Sequence, residues 1–172
     1  MKSALFKTFM FIILCTVALS CNQEKPVKEA VETDPIEAGE TAYDSIKAHA
    51  YGADDYGMKK YVMAFLKKGP NKSADEETRN QLQKAHLKNI SRLAEEGKLV
   101  LAGPFFGDGD LRGIYIFNVD NIAEAEALTN SDPSIQAGVL TMDLKEWYGS
   151  AALMAVNDLH SSISKTEVAG YD

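Results

Sequence analysis

Two side chains far apart in this 172-residue sequence have the chemistry to exchange a proton with a bound molecule: His86 and Asp132. A carboxylate beside an imidazole selects one ring tautomer and favours the protonated form. Were the two to meet with no nucleophile alongside, such a pair would suit elimination, isomerisation or tautomerisation of a cyclic or enolisable small molecule. Each residue also has a plainer explanation. At about 100° per residue, Leu82, Ile90 and Leu93 define the buried stripe of a helix. His86 falls within that stripe, away from Lys84, Lys88 and Glu95. An imidazole turned to the core must satisfy two ring nitrogens. Either backbone groups do so and the residue is inert, or it lines a pocket. Asp132 stands before Pro133, and Asp-Pro is an N-cap followed by a natural first helical residue. One carboxylate oxygen can cap while the other faces a cleft. Ser131 adds a hydroxyl beside it, as a binding group or as a second-choice cap.

A third residue, Cys21, carries chemistry of a different kind. Residues 1–20 have a basic start (Lys2, Lys7), an apolar run from Phe9 to Leu19, and the small Ser20 just before the cysteine. This is a secretory signal layout whose apolar run is too short to span a bilayer. The junction resembles the lipobox of bacterial lipoproteins, with Ala18 where leucine is usual. In that resemblance Cys21 is the lipidated first residue of a chain anchored to a membrane of the bacterial cell envelope, on the periplasmic or surface side. Cys15 and Cys21 are the only cysteines. The mature domain therefore has no internal disulfide, thiolate metal site or cysteine nucleophile. The formal net charge is −7, and cleavage removes Lys2 and Lys7 as well. Such acidity argues against nucleic acid as a partner and against electrostatic docking to anionic lipid. Acyl chains, at about 0.8 kcal/mol per buried methylene, must then hold the protein. No metal and no cofactor is expected. The acidic loop Gly107-Asp108-Gly109-Asp110 reads as a hairpin turn, His49 and His160 have no ligand spacing, and no phosphate-binding glycine loop is present.

The elements that must position these groups follow from periodicity and punctuation. Residues 22–41 lack apolar periodicity and read as a disordered tether. A short helix is expected over Tyr43–Tyr51, with Ile46 as its apolar contact. The continuous apolar run Tyr61–Leu66 predicts a strand covered on both faces. Ser73 and Glu76 make a capping-box pattern ahead of a helix that ends at Gly97. Strands follow at Leu99–Ala102, Ile114–Val119 and Val139–Leu144, the last extending towards Trp147. Between the second and third of these lies a helix, Ile122–Thr129, capped by Asn121 and Glu124. A final amphipathic helix, Ser150–Ile163, is expected to bury Leu153, Val156, Leu159 and Ile163. The order β-α-β-β-α-β is ferredoxin-like, an α+β antiparallel sheet with helices on one face, plus a C-terminal helix. Apolar residues on both sides of the first strand mean that the second face needs a cover. A second subunit is the simpler cover, and the C-terminal helix is the other.

Three stretches, QKAHLKNISRLAEEGKLVLAGPF, LRGIYIFNV and SDPSIQAGVL, resemble the YCII-related (YciI-like) family. The resemblance covers about Lys60 to Trp147. It implies a ferredoxin-like, homodimeric fold and a histidine/aspartate-centred site for a small-molecule ligand or substrate. On the matching positions the histidine is His86 and the aspartate Asp132, with Gly103 and Pro104 as a Gly-Pro element at the pocket rim. A dehydrochlorinase acting on a hydroxylated ring is among the activities it suggests. Tyr61, Phe105, Phe106 and Tyr115 could wall the pocket or simply pack the core. The expected organisation is a signal peptide over 1–20, and a lipidated N-terminus, tether and short extension over 21–58. The YCII-related domain then covers 59–148, and a C-terminal helix and tail 149–172. A lyase or isomerase, a ligand-binding module of the envelope, and a structural dimer with a satisfied histidine are the functional readings.

Overall fold

The computed structural model describes residues 42–166. The expected signal segment, Cys21 and tether, and the last six residues, lie outside the described residues. The elements are α1 (Ser45–Tyr51), β1 (Met58–Lys68), α2 (Glu76–Glu95), β2 (Leu99–Pro104), β3 (Leu111–Phe117), α3 (Ile122–Thr129), α4 (Pro133–Gln136) and β4 (Leu140–Ser150). A 3-10 turn, Ala151–Ala155, leads into α5 (Val156–Ile163). The four strands form one antiparallel sheet in the order β2-β3-β1-β4, the ferredoxin-like arrangement.

Register decides which residues share a face. Val62, Ala64 and Leu66 of β1 lie opposite Phe117, Tyr115 and Gly113 of β3. Because successive side chains alternate, these face the helices. There they pack with Leu93 of α2, Ala125 of α3, Leu99 and Val119. The intervening residues Tyr61, Ile116 and Val100 form a second cluster on the opposite face. Leu153 and Met154 of the 3-10 turn cover that cluster, with Met63, Leu101 and Trp147 around it. Within this chain the segment after β4 therefore does part of the work expected of a cover. Further along the same face Met63, Phe65 and Ile114 are half-buried. Lys67 and Lys145 pair there with Asp143, at 3.5 and 2.9 Å.

Several local expectations are corrected. Asp75, not Ser73, caps α2: its Oδ1 accepts from Thr78 N at 2.8 Å, while Ser73 N and Oγ both donate to Asn71 Oδ1. A side chain held by the preceding turn is not free to cap the helix. Asn121 does cap α3, accepting from Glu124 N at 2.9 Å and donating to Glu124 Oε1 at 3.0 Å. The C-terminal helix half-buries the start of its first turn and no more. Leu159 is 62% and Ile163 80% exposed, whereas Leu153 and Val156 are half-buried. Asn157 Nδ2 donates to the Leu99 carbonyl at 2.9 Å and so fastens the start of α5 to the edge strand β2. In α1, Ile46 is 84% exposed and makes no core contact. That helix is instead defined by its ends: Asp44 accepts from Lys47 N, and Gly52 adopts the left-handed conformation at φ 67°. Strand β4 continues past Trp147 to Ser150, matching the eleven residues of β1 pair for pair.

One close approach places the loop that carries α4. Gly69, just after β1, lies so near the Gly138 carbonyl that a Cβ there would stand 2.1 Å from it. The contact lets Gly69 N donate to Val139 O at 2.7 Å and Asn71 N to Gly138 O at 2.9 Å. The entrance to α2 and the exit from α4 are thereby sewn together.

Candidate functional site

Three elements converge between α2 and the sheet. Helix α2 buries His86, Asn89 and Leu93 on its inner stripe. Leu93 inserts into the sheet core and fixes the rotation of the helix, so His86 faces inward two turns earlier. Strand β3 contributes Tyr115, which stands opposite Ala64 of β1 and Ala102 of β2. Two alanines as neighbours leave width for an aromatic ring. The α3–α4 junction contributes Asp132. Its main-chain N donates to Thr129 O at 3.0 Å, and its carbonyl accepts from Ile135 N and Gln136 N. Ser134 Oγ donates to the Leu82 carbonyl at 3.2 Å, tying α4 to α2.

These placements build a hydrogen-bonded chain. Asp132 Oδ1 accepts from Ser134 N at 2.8 Å, the cap of α4. Asp132 Oδ2 lies 2.5 Å from His86 Nδ1. His86 Nε2 lies 3.1 Å from the Tyr115 hydroxyl. The two rings are nearly parallel, 22° apart with centroids 6.1 Å apart, and Phe117 meets Tyr115 edge-on at 5.6 Å. Asp132 is fully buried and the His86 side chain is 8% exposed. A buried carboxylate is tolerable only with close partners, and both of its oxygens have one. Among the described residues no buried side-chain nitrogen or oxygen lacks a partner. Burial pushes the Tyr115 phenol well above its ordinary ionisation, and the charge of Asp132 pushes it further. The hydroxyl thus keeps its proton.

None of the other expected site residues is hydrogen-bonded to His86, Asp132 or the Tyr115 hydroxyl. Ser131 is exposed: its Oγ donates to Leu128 O at 2.7 Å and accepts from Arg92 Nη2 at 3.1 Å. Arg92 also donates to Asn89 Oδ1 at 2.8 Å and to Glu96, so Ser131 belongs to a surface network behind Asp132. Gly103 pairs with Ile114, which puts its α-carbon on the sheet face away from Tyr115, and Pro104 pairs with Gly113. The aromatic wall does not assemble. Tyr61 lies on the opposite face with its hydroxyl on Ser150 O, and Phe105 and Phe106 are exposed in the β2–β3 loop. The imidazole is nearly buried, its side chain only 8% exposed, rather than displayed in an open cleft. One surface hollow runs along Glu76, Asn80 and Lys84, and another is bordered by Lys98, Val119 and Leu128; neither touches His86, Asp132 or Tyr115. The Tyr115 hydroxyl is the partner that sequence reasoning missed. It sits in an ordinary apolar strand, and only the register of β3 turns it towards α2.

Among the described residues no group of three or more His, Cys, Asp or Glu could hold a metal ion. No described helix is long and apolar enough to cross a membrane.

Comparison with known proteins identifies the chain. The YCII-related domain matches residues 60–148, just over half of the sequence, and the chain belongs to that family. It is 31% identical over 62 residues to the uncharacterized protein YjpA of Bacillus subtilis (strain 168), a stretch covering 36% of this chain and 71% of YjpA. Among solved structures it is similar to 5-chloro-2-hydroxyhydroquinone dehydrochlorinase (TftG) from Burkholderia phenoliruptrix AC1100 in complex with 2,5-dihydroxybenzoquinone. That match has 22% identity and a TM-score of 0.39, covering 50% of this chain and 92% of the other. A likeness of that extent carries no chemistry across.

Proposed function

We propose that this YCII-related protein is a small-molecule acid–base enzyme of lyase or isomerase type, in which His86 exchanges the proton and Asp132 orients and balances it. The observation that supports the reading is the 2.5 Å approach of a fully buried carboxylate to a ring nitrogen. In the neutral ring Nδ1–H donates to Asp132, so Nε2 carries the lone pair. The Tyr115 hydroxyl swings off Nε2 as a ligand engages it, a ligand proton moves to Nε2, the ring becomes an imidazolium balanced by Asp132, and the electron pair left on the ligand expels a leaving group or is reprotonated elsewhere. No redox partner is needed. The test is deuterium exchange into a panel of enolisable ketones and phenols, followed by proton NMR. His86→Gln is expected to slow exchange by about 10²–10⁴-fold. Exchange that persists in His86→Gln rejects the reading.

A second reading has its own observation: the imidazole is almost sealed from water, with both ring nitrogens occupied. In that reading His86 and Asp132 clamp α2 to the α3–α4 junction, and ligand binding, if any, is non-catalytic. The exposed His49 and His160 provide internal controls. Diethyl pyrocarbonate modifies both under either reading. It modifies His86 at a comparable rate only if a small molecule can reach the ring.

Two further proposals concern the setting. Cys21 bears the acyl chains that hold the protein to the cell envelope, which metabolic palmitate labelling with a Cys21→Ser control tests. The half-buried strip Met63, Phe65 and Ile114 pairs two copies into a homodimer, which light scattering of Phe65→Lys tests.

A further inference from the structure

We infer that Tyr115 is a positioning residue for His86, holding the Nε2 atom in both protonation states of the ring. The argument starts from the opposite nitrogen. Ionised Asp132 is acceptor-only, so the 2.5 Å contact requires a proton on Nδ1. The neutral ring then has only a lone pair at Nε2, and the Tyr115 hydroxyl, 3.1 Å away, must be the donor there. When Nε2 takes up a proton, the same oxygen accepts from it after a turn about the C–O bond. A hydroxyl is an uncharged group that serves both states by a simple rotation. A backbone carbonyl could only accept, and an amide N–H could only donate. The ring therefore gains or loses a proton without leaving a buried polar atom unpaired, which would cost about 1–3 kcal/mol. The phenol itself does not ionise, because burial and the Asp132 charge both oppose it. Proton balance is simple: one proton enters at Nε2, none leaves Tyr115, and the reverse restores the ring.

Tyr61 shows that the arrangement is not what any buried tyrosine in this sheet does. It is as buried as Tyr115, yet its hydroxyl donates at 3.1 Å to the Ser150 carbonyl, a partner that never changes its proton count. The inference rests on the acid–base reading only in naming Nε2 as the nitrogen that works. The tautomer and the Tyr115 bond stand or fall independently.

The test is nitrogen-15 NMR of the full chain with labelled histidine, observing the neutral ring. The expected wild-type spectrum shows protonated Nδ1 and an unprotonated, hydrogen-bonded Nε2. Tyr115→Phe should move the Nε2 resonance downfield, towards a free lone pair, while Nδ1 stays protonated. Tyr61→Phe should leave both unmoved. A structural role for the Tyr115 ring alone predicts no change, since phenylalanine keeps that ring. Should Tyr115→Phe fold poorly, the wild-type protein decides the matter: a proton on Nε2 of the neutral ring, or no nuclear Overhauser contact between the Tyr115 hydroxyl proton and His86, overturns the inference. A shifted Nε2 with no ligand exchange anywhere in the panel would remove the enzyme and leave the positioning role intact.

Discussion

The two faces of the sheet each bury a tyrosine, and the contrast between them shows what makes a buried polar group chemically interesting. On the outer face Tyr61 packs under the 3-10 turn with Val100, Ile116 and Trp147, and its hydroxyl ends on a main-chain carbonyl. On the helix face Tyr115 packs with Phe117 and Leu93, and its hydroxyl ends on an imidazole that is itself held by a buried carboxylate. Burial, strand geometry and residue type are nearly the same. The partner differs: one is fixed in charge, the other can change it. Polar satisfaction alone therefore does not mark a candidate site; a titratable partner is what singles out the helix face.

The largest effect should come from separating the charged partners on the helix face. His86→Leu leaves the Asp132 carboxylate buried without its imidazole and is expected to lose about 3–5 kcal/mol in urea unfolding. Adding Asp132→Asn to that variant should recover a good part of the loss, because an amide carries no charge and still accepts from Ser134 N. If His86→Leu costs no more than Tyr61→Phe, the two faces are equivalent and the contrast is lost.

Removing single hydroxyls comes next. Tyr115→Phe should cost about 1–3 kcal/mol, since it strands Nε2 in a dry place, and Tyr61→Phe about 1 kcal/mol. Equilibrium unfolding of the pair at neutral pH ranks them, and equal losses would mean that the imidazole is no more demanding than a carbonyl.

Alkaline pH sharpens the contrast further. Both phenols ionise less readily when folded, Tyr61 through burial and Tyr115 through burial together with Asp132. A raised phenol leaves the native state holding a proton that the unfolded chain releases above about pH 10. Stability from these groups is thus complete below that pH and falls as pH rises beyond it, by at most about 1.4 kcal/mol per pH unit for each phenol. The slope of the unfolding midpoint against pH should flatten more in Tyr115→Phe than in Tyr61→Phe; the opposite order contradicts the assigned partners.

The smallest effect belongs to the exposed end of α5. Leu159→Ala should change stability by less than about 0.5 kcal/mol, because its side chain lies mostly in water. A thermal melt that drops by several degrees would show that this surface is covered.

Local chemistry was readable from the residues themselves. The alternation in Tyr61–Leu66, the Asn121–Glu124 cap and the Asp132-Pro133 helix start each involve groups within a turn or two of one another, so the chain order determines them. Periodicity and turn residues extended that reading to the whole β-α-β-β-α-β order. Where two local signals competed, sequence spacing could not choose: Asn71 occupies Ser73, and the cap passes to Asp75. The depth of α5 was illegible for another reason, since amphipathic spacing reports a face without saying how far a neighbour extends along it.

The site itself belongs to the tertiary structure. His86 and Asp132 are 46 residues apart, and His86 and Tyr115 are 29 apart. The sequence determined which residues carry an imidazole, a carboxylate and a phenol, that His86 lies on the inner stripe of its helix, and that Asp132 starts the next short one. Strand register, helix rotation about Leu93, and the Gly69–Gly138 contact decided that the three meet, that the imidazole is sealed, and that Gly103 and Ser131 stand elsewhere. Periodicity is a property of neighbours along the chain, whereas a hydrogen bond between distant side chains exists only after packing has set their distance to a few tenths of an ångström.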